Sequence, residues 1–389
     1  MTTGRAAFPE VSRSTPFPQS KPPDATHLAP QTPAFPEITQ SSFSKRNRNR
    51  VTKMIRDARV LRAGFVPREV EHRDAEVNHL SSVLEPITNG EPADTAIVTG
   101  PSGAGKTCIS KFVIERLREE VLDVEATYVN CWRNYTRFRT LYQILDDLGR
   151  TIDIHRQSTP HDELIDRLQR YDDARTVVIL DEADQLEDPS LIYDLHSLPQ
   201  FATICIANNE EELFSRVDDR LVSRLRSSEH VRMDKYHDEQ LFDILSARVK
   251  WGLDEDVLTD DQLYRIADAA AGDARLAIGI LRSAASHAER ENRDRITDEM
   301  LFTAAEDTRA QIRQKSLDAL TPHQRTVYDI LDEHGPLGPS AVYDRYVDAV
   351  EDPRTKRTLR SYLSKMEQYN LLKADGTSRD RQYSVVDVA

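Results

Sequence analysis

Gly100-Pro101-Ser102-Gly103-Ala104-Gly105-Lys106-Thr107 follows the short apolar run Ala96-Ile97-Val98-Thr99 and leads into a helix-period stretch from Cys108 to Glu119. The spacing is G-x-x-x-x-G-K-[ST], and strand, loop, helix is the context in which that spacing cradles phosphate. Glycines allow the backbone N–H groups of Gly100, Pro101, Ser102, Gly103, Ala104 and Gly105, proline excepted, to close around a β-phosphate. Lys106 then reaches the β- and γ-phosphates, and the Thr107 hydroxyl ligates Mg²⁺. The ligand implied is ATP or ADP with Mg²⁺.

Working outward, β-rich apolar runs separated by helical stretches recur at Ala126 to Asn130, Thr176 to Leu180 and Thr203 to Ala207. That alternation predicts a parallel sheet covered by helices. Val177-Val178-Ile179-Leu180 ends in Asp181-Glu182. A buried strand ending in two carboxylates beside a phosphate loop places Asp181 to hold Mg²⁺ with Thr107, and Glu182 to polarise an attacking water. Asn208 ends the next strand, where a short amide orients water beside the γ-phosphate; the adjacent Asn209 is the competing choice. Arg220, Arg224 and Arg226 follow, each an arginine-finger candidate reaching a phosphate across a subunit interface, with a surface ion pair as the alternative.

From Asp238 to about Arg313 only helix-period patterns remain, predicting an α-helical lid. Arg275, in Gly272-Asp273-Ala274-Arg275, opens one of its helices and is placed to touch the nucleotide from the far side of the cleft. Beyond about Leu317 the order is helix, helix, helix, hairpin, which is that of a winged helix. Its third helix, Thr355 to Asn370, carries Arg354, Lys356, Arg357, Arg360 and Lys365, and the hairpin bears Lys373, Arg379 and Arg381. The DNA-contacting set expected here is Arg354, Lys356, Arg357 and Arg360 in the major groove, with Arg379 and Arg381 along phosphates or in the minor groove. A winged helix used for protein contact is the alternative. The domains expected are a disordered Pro/Ser/Thr-rich tail over 1–50, a nucleotide-binding domain over 51–236, the lid over 237–315 and the winged helix over 316–389. A basic cluster, Lys45, Arg46, Arg48 and Arg50, leads into a helical pattern around Met54 to Leu61.

The chain has 389 residues, 39% hydrophobic and 30% charged, with a net charge of −14. Such a composition buries several cores beneath a charged surface. No apolar run approaches the roughly 20 residues that span a bilayer, so the expectation is a cytoplasmic, nucleoid-associated protein without a membrane partner. Cys108, Cys131 and Cys205 stand apart without metal-ligand spacing, and Cys131 and Cys205 sit in or beside apolar strands. The acidity opposes DNA binding in ordinary salt. Abundant Asp and Glu with Arg well above Lys resembles proteins of salt-loving archaea, where screening shortens that repulsion.

These pieces, in this order from about residue 51 onward, resemble the archaeal Orc1/Cdc6 family of AAA+ replication initiators. Ile55-Arg56-Asp57-Ala58-Arg59-Val60-Leu61, then Phe65-Val66-Pro67 and His72-Arg73, is similar to the family's stretch that helps enclose the adenine; Val60 and Tyr236 complete the nucleotide-binding set expected. Tyr128-Val129-Asn130-Cys131, Thr140-Leu141-Tyr142 and a helix ending near Gly149 are similar to an insertion that contacts DNA in the family. Gly272-Asp273-Ala274-Arg275 resembles its second sensor, Asn208 falls at its first, and Val217-Asp218-Asp219-Arg220 resembles the arginine-finger segment, favouring Arg220.

The resemblance implies an α/β AAA+ P-loop domain with an α-helical lid and a C-terminal winged helix. It also implies slow ATP hydrolysis, recognition of double-stranded origin DNA, self-association on DNA and recruitment of an MCM-like replicative helicase. An ATP-regulated winged-helix transcription regulator and a ring-type remodelling ATPase remain the competing readings.

Overall fold

A computed structural model of the chain describes residues 54–386 apart from 122, 156–158, 215–218 and 377–379. The expected tail, the basic cluster at 45–50 and Arg379 lie outside these residues. Within them, β1 (Ala96–Thr99), β2 (Val124–Asn130), β3 (Arg175–Asp181), β4 (Phe201–Ala207) and β5 (Glu229–Arg232) form one sheet in the order β2-β3-β4-β1-β5. All its pairings are parallel. The central strands are buried on both faces, as crossover helices require. Successive residues of β3 accordingly serve opposite cores: Val178 and Leu180 join one cluster, Val177 and Ile179 the other.

The helices divide the same way. Side chains of α1 (Asp74–Thr88) and α2 (Lys106–Glu120) pack in the cluster with Val177 and Ile179. The opposite face takes α3 (Arg137–Asp147), α4 (His161–Gln169) and α5 (Ser190–His196), together with residues of α6 (Glu210–Phe214) and α7 (Asp219–Arg226). Cys131 and Cys205 are fully buried there, as their apolar surroundings in the sequence predict. The register sets Thr99 opposite Ala207 and Asp181 opposite Ile206, so the carboxyl ends of β1, β3 and β4 finish side by side. Ligands of open α/β sheets bind at that edge. β5 escaped the sequence reading because it is a short edge strand with one buried residue, Val231, and so has neither an apolar run nor a period to detect.

The lid comprises α8 (Asp238–Gly252), α9 (Asp260–Ala270), α10 (Ala274–Arg290) and α11 (Asp298–Asp318). Thr259 caps α9 in a reciprocal box with Gln262, and Asp273 caps α10 by accepting from Leu276 N. Each such cap is worth about 1 kcal/mol. The helical pattern expected around Met54 to Leu61 is not a helix. Ile55 bridges antiparallel to Leu253, the backbone N–H groups of Arg56 and Asp57 donate to Gly252 O, and turns follow. Asp57 Oδ1 accepts from Arg59 N at 2.9 Å, a local side-chain bond that competes with a helix. Met54 and Leu61 consequently pack in the lid core, not under the sheet. The division drawn at 315/316 falls inside α11, a single 21-residue helix that runs from the lid toward the terminal domain.

In that terminal domain α12 (Pro322–His334), α13 (Pro339–Ala349) and α14 (Lys356–Gln368) precede a hairpin of β6 (Leu372–Asp375) and β7 (Gln382–Val385). Leu337 bridges Tyr383 as a third strand position. Val327, Val342, Tyr346, Leu359, Leu363, Met366 and Tyr383 share one core. This is the winged-helix arrangement, with Thr355 capping α14 through Thr358 N. No described helix is long and apolar enough to cross a membrane.

Candidate functional site

The phosphate loop leaves β1 at the sheet's carboxyl edge and enters α2 through Gly105. Gly103 and Gly105 hold φ of +75° and +96°, a left-handed backbone that side chains resist. A Cβ on Gly103 would stand 2.1 Å from Asp273 Oδ1, so only glycine lets the lid approach this closely. Ala274 N donates to Gly103 O at 3.2 Å, stitching the start of α10 to the loop. No side chain caps the first turn of α2. Its leading N–H groups, aligned with the helix dipole, therefore form an anion site that fits phosphate.

Lys106 is buried and donates to Gly100 O at 2.6 Å, Pro101 O at 2.8 Å and Asn208 Oδ1 at 3.0 Å. Burial brings its ammonium down to about 8, Asp181 opposing that fall and Arg275 and Lys365 adding to it. A phosphate is the counter-ion this cation fits. Thr107 Oγ1 donates to Asp181 Oδ2 at 2.8 Å. One hydroxyl and one carboxylate in contact are an oxygen-donor pair that would suit Mg²⁺. The same Asp181 oxygen accepts from Tyr128 Oη at 2.7 Å. Tyr128 was missed as a site residue: only the strand register, which pairs it with Ile179 on β3, brings it beneath Asp181.

Glu182 follows Asp181 with φ 59°, an uncommon conformation for a residue with a Cβ. Burial pushes its carboxyl up, against the pull of Lys365 and Tyr369. Tyr369 Oη donates to Glu182 Oε1 at 2.6 Å, while Lys365 Nζ lies 3.9 Å from Oε2 and 3.1 Å from Asp184 Oδ2. Asn208 Nδ2 donates to Gln368 Oε1 at 3.4 Å. Lys365, Gln368 and Tyr369, at the end of α14, thus meet Glu182, Asp184 and the Asn208 amide.

The cleft is lined by Ser102, Gly103, Gly105, Lys106, Thr107, Asp181, Glu182 and Asn208 at the sheet edge and by Tyr236, Ala274 and Arg275 toward the lid. The expected residues Lys106, Thr107, Asp181, Glu182, Asn208, Tyr236 and Arg275 therefore surround one cavity. Arg73 lies over the Tyr236 ring at 4.2 Å and fixes that wall. Val60 stands apart from this lining, as do Gly100, Pro101 and Ala104 of the loop. Val60 is buried near Gly252, its carbonyl accepts from Arg248 Nη1 at 2.7 Å, and Ala63, Pro67 and Val70 form the cavity wall instead. Arg248, also in that wall, was missed because a basic residue at a lid-helix position reads in sequence as solvated. Arg220 lies on α7, but its side chain and that of Arg224 fall outside the described residues.

The expected DNA-contacting residues sit on and around α14 unequally. Lys356, Arg357 and Arg360 are exposed. Arg354 pairs with Glu187 at 3.2 Å and Arg381 with Glu367 at 2.6 Å. Lys365 is a correction to the basic face read from the sequence. It points inward at 1% exposure, because its turn of α14 faces Asp184 and the Trp132 and Tyr369 rings.

Cys108 lines the cleft, half-buried, and burial raises its thiol; Cys131 is raised further by burial and Cys205 is pushed up to about 12. An alkylating reagent is therefore expected to modify Cys108 alone in the native protein, slowly at neutral pH and faster as pH rises and the thiolate forms. Saturating ADP should slow the reaction. Peptide mapping by mass checks both points, and a rate indifferent to ADP would place the nucleotide elsewhere.

The family model of the AAA domain matches residues 91–223, and that of the Cdc6 AAA+ ATPase-type lid domain matches residues 242–306. ORC1-type DNA replication protein 9 of Halobacterium salinarum is 83% identical over 334 residues, 86% of this chain and 94% of the relative. ORC1-type DNA replication protein 1 of the same organism is 52% identical over 308 residues, 79% of this chain and 100% of the relative. Among solved structures, the Aeropyrum pernix ORC1 protein in complex with DNA superposes with a TM-score of 0.66 at 26% identity, covering 86% of this chain and 94% of that one.

Proposed function

The chain belongs to the ORC1-type, Orc1/Cdc6 family of AAA+ DNA replication proteins, and we propose that it is an ATP-controlled initiator that recognises double-stranded origin DNA and helps recruit the replicative helicase. The observation that carries this reading is the union, in one chain, of a phosphate-binding cleft and a winged helix whose third helix presents Lys356, Arg357 and Arg360 to solvent. Bound ATP with Mg²⁺ supplies the phosphoryl group and its charge neutralisation. The chain's own residues do the rest. The Gly103 and Gly105 turn presents N–H groups, Lys106 holds negative charge, Thr107 and Asp181 hold the metal, and Glu182 and Asn208 orient water. Arg275 and Ala274, at the start of α10, tie lid position to the phosphates, so ATP acts chiefly as a conformational ligand and turnover is slow. Arg220 is the arginine-finger candidate and acts in a neighbouring protomer assembled on DNA. The protein works in the cytoplasm at the nucleoid.

Genome-wide crosslinking of the tagged protein in its own cells tests this. Sharp peaks beside replication starts are expected. Peaks confined to promoters would instead make it a transcription regulator, and no peaks a remodelling ATPase. In vitro, deleting residues after 318, beyond the end of α11, should abolish sequence-specific DNA binding.

A further inference from the structure

α14 carries two sets of side chains with different neighbours. Around its start, Arg354, Arg357 and Arg360 line a cleft whose opposite wall is Trp132, Tyr135, Gln185 and Glu187, and Arg354 bridges to Glu187. At its far end, Lys365, Gln368 and Tyr369 meet Asp184, Asn208 and Glu182. Leu359, Leu363 and Met366 bind the helix into the winged-helix core, so both ends move together. Lys365 is 1% exposed, a heavy desolvation that the paired carboxylates offset only while the helix stays docked. Glu182 has one oxygen taken by the Tyr369 hydroxyl, and Oε2 is buried with no hydrogen-bond partner. One oxygen is thus held and the other shielded beside Lys365 at 3.9 Å, an arrangement that hinders proton transfer from an attacking water.

We propose that Lys365 and Tyr369 are positioning residues of the hydrolytic site that hold Glu182 out of action while α14 is docked, and that duplex DNA engaging the arginine end of α14 withdraws them and frees Glu182. A major groove about 12 Å wide must enclose the helix face it reads. Arg354, Arg357 and Arg360 share their cleft here with Glu187 and Tyr135, so a duplex seated against them competes with the docked arrangement. The proposal rests on Glu182 as the water-activating carboxylate and on α14 as the DNA-reading helix.

The test is steady-state ATP turnover of the full chain with and without mixed-sequence duplex DNA. Tyr369→Phe removes one hydroxyl and should raise DNA-free kcat about tenfold, the worth of a hydrogen bond to a charged group, with KM unchanged. DNA should stimulate the parent chain and add little to the variant. Glu187→Arg, which sets like charges against Arg354 and leaves the cleft chemistry alone, should raise DNA-free kcat as well, and adding Arg354→Glu should restore the low rate. A merely structural role for Tyr369 would lower kcat or shift KM, and unchanged or lower turnover in both Tyr369→Phe and Glu187→Arg overturns the proposal. Glu182→Gln separates the failures: if it abolishes turnover while those variants gain nothing, only the gating is wrong. If it still hydrolyses ATP, the assignment of Glu182 falls and the gating with it.

Discussion

Lys106→Ala is expected to lower ATP affinity roughly 100-fold, the consequence of losing about 3 kcal/mol of charge-assisted bonding to phosphate. The side chain is buried in the loop it serves, with its ammonium held on Gly100 O, Pro101 O and Asn208 Oδ1. Those three acceptors keep the cation in place without a carboxylate in direct contact, so it stands ready for an anion. Alanine leaves the glycine cradle and the first turn of α2 intact, and some phosphate affinity should survive from the backbone N–H groups alone. Isothermal titration with ATP and ADP measures the loss, and a thermal melt of the free protein shows whether the fold is retained. Affinity within a factor of about three of the parent, equivalent to only ~0.7 kcal/mol, would show that Lys106 does not contact the phosphates.

Glu182→Gln should retain ATP but reduce kcat by about 100-fold to 10,000-fold, the range of general base catalysis. Gln keeps the shape and the ability to accept from Tyr369 Oη at the Oε1 position, so the docked arrangement should persist. It cannot take a proton. The contrast with Lys106→Ala is diagnostic: one variant loses binding, the other loses the chemical step. Single-turnover hydrolysis with preloaded ATP isolates that step from nucleotide exchange. Unchanged turnover would remove Glu182 from catalysis and turn attention to Asp184, its buried neighbour beside Lys365.

The two variants bear on opposite ends of one geometric fact. The carboxyl edge of the sheet receives the lid through Ala274 and Gly103, and it receives the winged helix through Tyr369 and Glu182. Lid and winged helix therefore both touch the nucleotide cleft directly, without an intervening relay.

Residue order alone was enough for the parts whose information is local. The glycine-lysine-threonine loop between a strand and a helix, the apolar strand ending in Asp181-Glu182, the Asn208 strand end and the helix-helix-helix-hairpin succession each depend on neighbours within a few residues, where spacing dictates backbone geometry. Thr259, Asp273 and Thr355, seen as caps only in the structure, act over the same short range on the helices that follow them. What lay beyond reach depends on residues far apart in the chain. Tyr128 joins Asp181 only through strand register, Arg248 reaches the cleft only because α8 packs on the segment carrying Val60, and Met54 to Leu61 abandons a helical pattern to pair with the end of α8. Lys365 is the sharpest case. In sequence it is one more cation on a basic helix, and only the docking of α14 against Asp184 and Glu182, residues 181 and 183 positions away, turns it into a buried counter-ion. Helix periodicity says which residues share a face, but which body that face meets is settled by the tertiary balance of desolvation against pairing.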